Sequence, residues 1–134
     1  MCIFCEIIAG RAKAEIIFED DRLIALLDIH PVFPGHVLVM PREHHETLLD
    51  LPEALIAPLF SRVKTIARAV EVGLGADGTF VAMNNKISQS VPHLHVHVVP
   101  RRKKDGLRGF FWPRTKYGDG EMATIGKAIR DAMV

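Results

Sequence analysis

The chain has 134 residues, 49% hydrophobic and 25% charged, with a formal net charge of +1. That length suits one domain around one core, and the composition excludes intrinsic disorder. With 17 basic and 16 acidic side chains the balance argues against a nucleic-acid partner, and the apolar runs are far shorter than the roughly 20 residues of a membrane-spanning helix.

Residues 2–9 read as a short helix or turn ending at Gly10. Glu6 and Arg11 interrupt this apolar start, which is unlike a secretory signal, so a cytoplasmic location is expected. Residues 15–19 and 22–28 read as two strands joined by a tight acidic turn at Asp20 and Asp21. The segment 30–35, with Pro31, Pro34 and Gly35, predicts a rigid loop, and residues 36–40 a third strand stopped by Pro41. A helix follows, with Asp50 as its cap and Glu53 completing a capping box. Leu55, Leu59, Val63, Ile66 and Val70 recur along it at helical spacing. Pro58 predicts a kink or a later start, and Gly73 and Gly75 end the helix. Residues 79–83 and 93–99 read as the fourth and fifth strands. Beyond Arg101 the chain turns basic, then aromatic at Phe110, Phe111 and Trp112. A last amphipathic helix is expected from about Gly120, with Met122, Ile125, Ile129 and Met133 as its apolar face. The expected class is α+β, about five antiparallel strands with one long helix and short flanking helices.

Cys2 and Cys5 are the two cysteines. A disulfide across so short a loop adds little to a fold. The C-x-x-C spacing leaves a redox pair, half a metal site or coincidence, and the redox reading lacks the preceding strand of a thioredoxin-like unit.

The seven histidines are His30, His36, His44, His45, His93, His95 and His97. The last three alternate with Leu94, Val96 and Val98. On a strand this period of two sends all three imidazoles to one face, with Cα atoms about 6.6 Å apart. A polar strand face that happens to be histidine would be the plainest explanation, and His-x-His can also chelate zinc. The catalytic explanation uses imidazole as a nucleophile. A neutral ring attacks phosphorus, and water resolves the phosphoramidate that forms. The other ring nitrogen must be held as N–H by an acceptor, and donors must face the phosphate oxygens. Residues 84–90, Asn-Asn-Lys-Ile-Ser-Gln-Ser, carry such groups just before the trio.

His-Leu-His-Val-His-Val-Val at 93–99 resembles the His-φ-His-φ-His-φ-φ signature of the histidine triad (HIT) superfamily, where φ is apolar. Residues 16–22, 28–29, 34–41 and 89–91 are similar to its other blocks, so the resemblance spans about residues 2–101 of a single domain, 1–134, with a tail from 102. It implies a HIT-like α+β subunit that pairs as a homodimer. It also implies a bacterial-type nucleotide hydrolase or transferase acting on nucleoside phosphoramidates or dinucleoside polyphosphates. By that resemblance His95 is the nucleophile and His97, Asn84, Gln89 and Ser90 contact phosphate. His36 supports the triad, Asp28 accepts the ribose hydroxyls, and Phe4, Ile7, Ile29 and Leu38 wall the purine. An AMP-like purine nucleotide is the implied partner. A nucleotide-binding module with vestigial turnover is the alternative from outside enzymology.

Some members of the superfamily hold structural zinc with an N-terminal C-x-x-C, a histidine after the third strand and the first triad histidine. The resemblance extends that set to Cys2, Cys5, His44 and His93, a closed tetrahedral site with no open position for water. His45 is the competing ligand. Three features depart from the family pattern. Ser88 stands where a glycine is usual, the loop from Asn84 to His93 is two residues shorter, and Pro92 replaces an aromatic residue. Four consecutive cations at 101–104 read as a solvated face or as a steering patch for polyphosphate. Trp112 and Pro113 match a tail that reaches toward the dimer partner's site.

Overall fold

The computed structural model describes residues 2–107 and 114–133. The expectations about Phe110, Phe111, Trp112 and Pro113 lie outside the described residues. The elements run α1 (Ile3–Ile8), β1 (Ile16–Glu19), β2 (Leu23–Leu27), β3 (Val37–Pro41), a 3-10 turn (Leu48–Asp50), α2 (Glu53–Leu74), β4 (Gly78–Ala82), β5 (Val96–Arg101) and α3 (Glu121–Ala132). The strands form one antiparallel sheet in the order β1-β2-β3-β5-β4. Five antiparallel strands with one long helix are the architecture expected from the sequence.

Alternation along the strands divides the core. Leu23, Ala25, Val37, Val39, Leu94, Val96 and Val98 face α2 and pack on Leu59, Val63, Ile66 and Val70. Ile24, Leu26, Leu38 and Met40 point to the opposite face, where they meet Phe4 of α1. Each strand of the β2–β3 pair is therefore apolar on both sides, because both faces are covered.

Three expectations need correction. The fifth strand starts at Val96 rather than at residue 93. The backbone N–H groups of His93 and Leu94 donate to Val91 and His45 carbonyls instead of to the β-ladder. The alternation still holds, since Leu94 points into the α2 core like Val96. Asp50 does not cap α2. It closes a capping box with Thr47 around the 3-10 turn, while Pro52 occupies the N-cap of α2 without a side-chain bond. Pro58 lies inside α2, which starts before it at Glu53 rather than later, and ends at Gly75, whose φ is 62°. The missing N–H at Pro58 leaves the Ala54 carbonyl without its helical donor.

α3 forms where expected, yet its apolar face stays open. Met122, Ile125 and Ile129 are exposed by 64%, 39% and 59%, so the stripe is not part of the described core. The basic segment folds around its own partners. Arg101 Nε lies 2.7 Å from Asp105 Oδ2, and Arg102 donates to the Leu74 carbonyl at 2.7 Å. No helix among the described residues is long and apolar enough to cross a membrane.

Candidate active site

The sheet face opposite α2 carries the histidines. Register places His97 of β5 beside Leu38 of β3, which in turn lies beside Leu26 of β2. A cavity of about 300 Å³ opens above this row. Phe4, Ile7, Ile29 and Leu38 form its apolar walls, and Asp28, Ser90, His95 and His97 supply the polar groups. Ile29 is 80% exposed, a rim residue rather than core. Ile3 and Val91 also line the cavity and were missed from sequence. Ile3 had a signal, because it lies one helical turn before Ile7.

Backbone partners determine which nitrogen of each ring carries a proton. His95 Nδ1 is 2.7 Å from the His93 carbonyl, which can only accept, so Nδ1 is the N–H. In the neutral ring Nε2 then holds a free lone pair, the state required of a nucleophile. The ring is 5% exposed and stands edge-on to Phe4, with centroids 5.0 Å apart.

His36 and His97 form a relay of the same kind. The Val32 amide donates to His36 Nδ1 at 3.1 Å. The proton of His36 is therefore on Nε2, which donates to His97 Nδ1 at 2.9 Å. That leaves Nε2–H of His97 as a donor on the cavity side. Burial lowers the pKa of both rings. His97 falls to about 4 through burial first, then the neighbouring His95 and His36. His36 falls by burial, with Asp28 opposing. Both are neutral near pH 7, as the relay requires.

Asp28, His36 and His97 also bring donor atoms within 4.8 Å of one another. The relay argues against a metal there. His36 Nε2 is occupied by its proton and Nδ1 by the Val32 N–H, so neither nitrogen has a lone pair to give. Asp28 accepts the His30 amide at 2.9 Å through Oδ1, and Oδ2 lies 3.8 Å from His36 Nε2.

Asn84 and Gln89 are not brought to the cavity. Asn84 Nδ2 donates to the Ser88 carbonyl at 3.1 Å. Gln89 accepts the Lys86 amide at 2.9 Å and donates to the Glu46 carbonyl at 2.6 Å. Both side chains brace the loop, in which Lys86 and Ser88 adopt positive φ values of 71° and 59°. The usual glycine at position 88 is what that backbone would favour.

A second cluster lies behind His95. Cys2, Cys5, His44 and His93 hold one donor atom each, all within 4.8 Å of one another. Cys5 Sγ is 3.3 Å from His44 Nδ1 and 3.6 Å from His93 Nδ1, and Cys2 Sγ is 3.6 Å from the same nitrogen. Ligands on a tetrahedral zinc stand roughly 3.3–3.8 Å apart. His93, fully buried, faces its Nε2 toward the Pro41 carbonyl at 2.8 Å, so its Nδ1 lone pair points at the sulfurs. Donor types, spacing and tautomer all fit a closed zinc site. His45 stands outside the cluster.

Residues 9–104 match the HIT domain family model. The chain belongs to the HIT family. Among its relatives, an uncharacterized HIT-like protein of Saccharolobus solfataricus is 38% identical over 136 residues, covering 99% of this chain and 98% of that protein. The adenosine 5'-monophosphoramidase hnt1 of Schizosaccharomyces pombe is 32% identical, over 96% of this chain and 95% of its own. Among solved structures, a HIT-family protein from Bacillus subtilis superposes with a TM-score of 0.90 at 36% identity, covering 99% and 97% of the two chains. A zinc-bound histidine triad family protein from Mycobacterium smegmatis gives 0.75 at 36% identity, covering 95% and 96%. At family level the HIT proteins include nucleotide hydrolases, and this chain is one of the family.

Proposed function

We propose that the protein hydrolyses nucleoside phosphoramidates or dinucleoside polyphosphates through a covalent nucleotidyl-histidine on His95. The observation that carries this reading is the 2.7 Å bond from His95 Nδ1–H to the His93 carbonyl, which leaves Nε2 as a lone-pair donor at the cavity. The relative named as a phosphoramidase supports the reaction class.

In the first step His95 Nε2 bonds to the α-phosphorus while the P–N or P–O bond to the leaving group breaks, and that group takes a proton from solvent, which regains one from the attacking water in the second step. Nε2–H of His97 and the Ser90 hydroxyl are the donors for the phosphate oxygens as charge grows there. In the second step water attacks phosphorus, the P–Nε2 bond breaks, and the nucleoside monophosphate leaves. Asp28 is assigned to the ribose hydroxyls. Phe4, Ile7, Ile29 and Leu38 are assigned to a purine, whose flat apolar faces suit such walls. Asn84 and Gln89 act here through the shape of the loop that carries Ser90.

Cys2, Cys5, His44 and His93 would hold structural zinc, an ion that in a closed site supplies folding energy and no chemistry. Elemental analysis is expected to find about one zinc per chain. A homodimer is the assembly this reading implies, and edge strand β4 with Phe60 and Val72 of α2, both exposed, offers a surface for it. A cytoplasmic setting suits two free thiols.

The test compares turnover of adenosine phosphoramidate and diadenosine tetraphosphate by wild type and His95→Asn. Turnover of at least one substrate, lost by several orders of magnitude in the variant, is the expected result. Binding of AMP without turnover of either substrate would overturn the hydrolase reading in favour of a binding module.

A further inference from the structure

α1 has six residues, far fewer than the roughly 12–15 a helix needs to persist alone. Its position is set from two sides. On one side Cys2 and Cys5 face the four-donor cluster, and Cys2 Sγ also accepts the Cys5 amide at 3.4 Å as the helix N-cap. On the other side Ile3, Phe4 and Ile7 line the nucleotide cavity. Phe4, between the two cysteines, stands edge-on to both His93 and His95 at 5.9 and 5.0 Å. The same His93 that offers Nδ1 to the cluster offers its carbonyl to His95. Two bridges, a short helix and one histidine, thus join the cluster to the cavity.

We infer that the metal cluster and the nucleotide cavity are energetically coupled through α1, so that metal held by Cys2, Cys5, His44 and His93 strengthens nucleotide binding. This rests on the zinc reading above. Without a metal, the N-terminal turn keeps its Phe4 contacts, but only weak thiol–imidazole hydrogen bonds join Cys2 and Cys5 to His44 and His93, and the wall of Ile3, Phe4 and Ile7 samples more positions. Nucleotide then has to order that wall at its own cost. Coupling of this kind is reciprocal, so bound nucleotide must tighten metal binding by the same factor. Cys2 and Cys5 become positioning residues for a site that neither of them touches.

The experiment needs no variant. AMP affinity is measured calorimetrically on the zinc-loaded and chelator-stripped wild-type protein. Zinc affinity is measured by competition with a chromophoric chelator, with and without saturating AMP. The expected result is an AMP affinity about 5-fold or more weaker in the stripped protein, and a zinc affinity raised by an equal factor when AMP is present. Stoichiometric zinc with AMP affinity unchanged on stripping would overturn the coupling and leave the zinc reading standing. Failure to take up zinc would overturn both. A stripped protein that unfolds is checked by far-UV circular dichroism, and the zinc competition on loaded protein then decides alone.

Discussion

The Nε2–H of His36 donates to Nδ1 of His97 across 2.9 Å, linking the residue before β3 to the histidine row at the cavity. Because the Val32 amide holds the other nitrogen of His36, the pair has one neutral arrangement that satisfies every donor. A proton added to His97 Nδ1 would face the His36 N–H and break it.

The pH dependence of stability follows. His97 has a folded pKa of about 4, below the ordinary 6.5, and that of His36 is lowered too. A depressed folded value means that the unfolded chain takes up the proton first. The stabilising contribution is therefore complete above about pH 6.5 and is lost as pH falls toward 4. Thermal unfolding should show a melting temperature that drops between pH 6.5 and 4. The drop should be shallower in His97→Gln, whose side chain does not titrate. An identical slope in the variant would refute the assignment.

Ser90 lines the cavity, whereas Asn84 and Gln89 are engaged within their loop. Ser90→Ala should lower kcat about 10²-fold or more with little change in KM, as removal of a transition-state donor does. Asn84→Ala should act mainly on stability, measured by urea unfolding. A larger loss of kcat from Asn84→Ala than from Ser90→Ala would reverse these roles.

Ser88 holds φ at 59°, a left-handed value that a side chain disfavours. Ser88→Gly removes that strain, and the more flexible unfolded chain offsets part of the gain. A net stabilisation of about 0.5–1 kcal/mol is expected in chemical denaturation. Ser88→Val should lose stability instead. A Gly variant less stable than wild type would contradict the strain argument.

Gly35 has φ of 103°, and a Cβ there would run into Leu74 Cδ1 of α2 and come near Pro100. Gly35→Ala should cost about 1–3 kcal/mol. Adding Leu74→Ala should recover only the steric part, since the backbone strain stays. Complete recovery in the double variant would assign the whole effect to the clash.

Much of the site could be read in one dimension. The alternation of His93, His95 and His97 with Leu94 and Val96 is a local property of extended chain, and it survives although the strand begins three residues later. The stripe Leu59, Val63, Ile66 and Val70 likewise reports a helix face before any partner is known. The capping box was misread because Thr47 and Asp50 compete with Asp50 and Glu53 for the same local pattern. Pro52 settles the competition by starting α2 itself. The open face of α3 shows the limit of periodicity, which finds an apolar stripe and not what lies against it.

Residue types and local spacing by themselves determined the sheet-and-helix class, the imidazole row and the cysteine pair, because side-chain period and cap chemistry act over a few residues. Only the tertiary structure decided what each imidazole is able to do. The His93 carbonyl, the Pro41 carbonyl and the Val32 amide assign the ring protons; the first and last are local, whereas the Pro41 carbonyl meets His93, and His36 meets His97, only through the folded arrangement of the chain. Every residue has backbone groups of the same kind, so no side-chain pattern marks which of them will meet a histidine once the chain has closed.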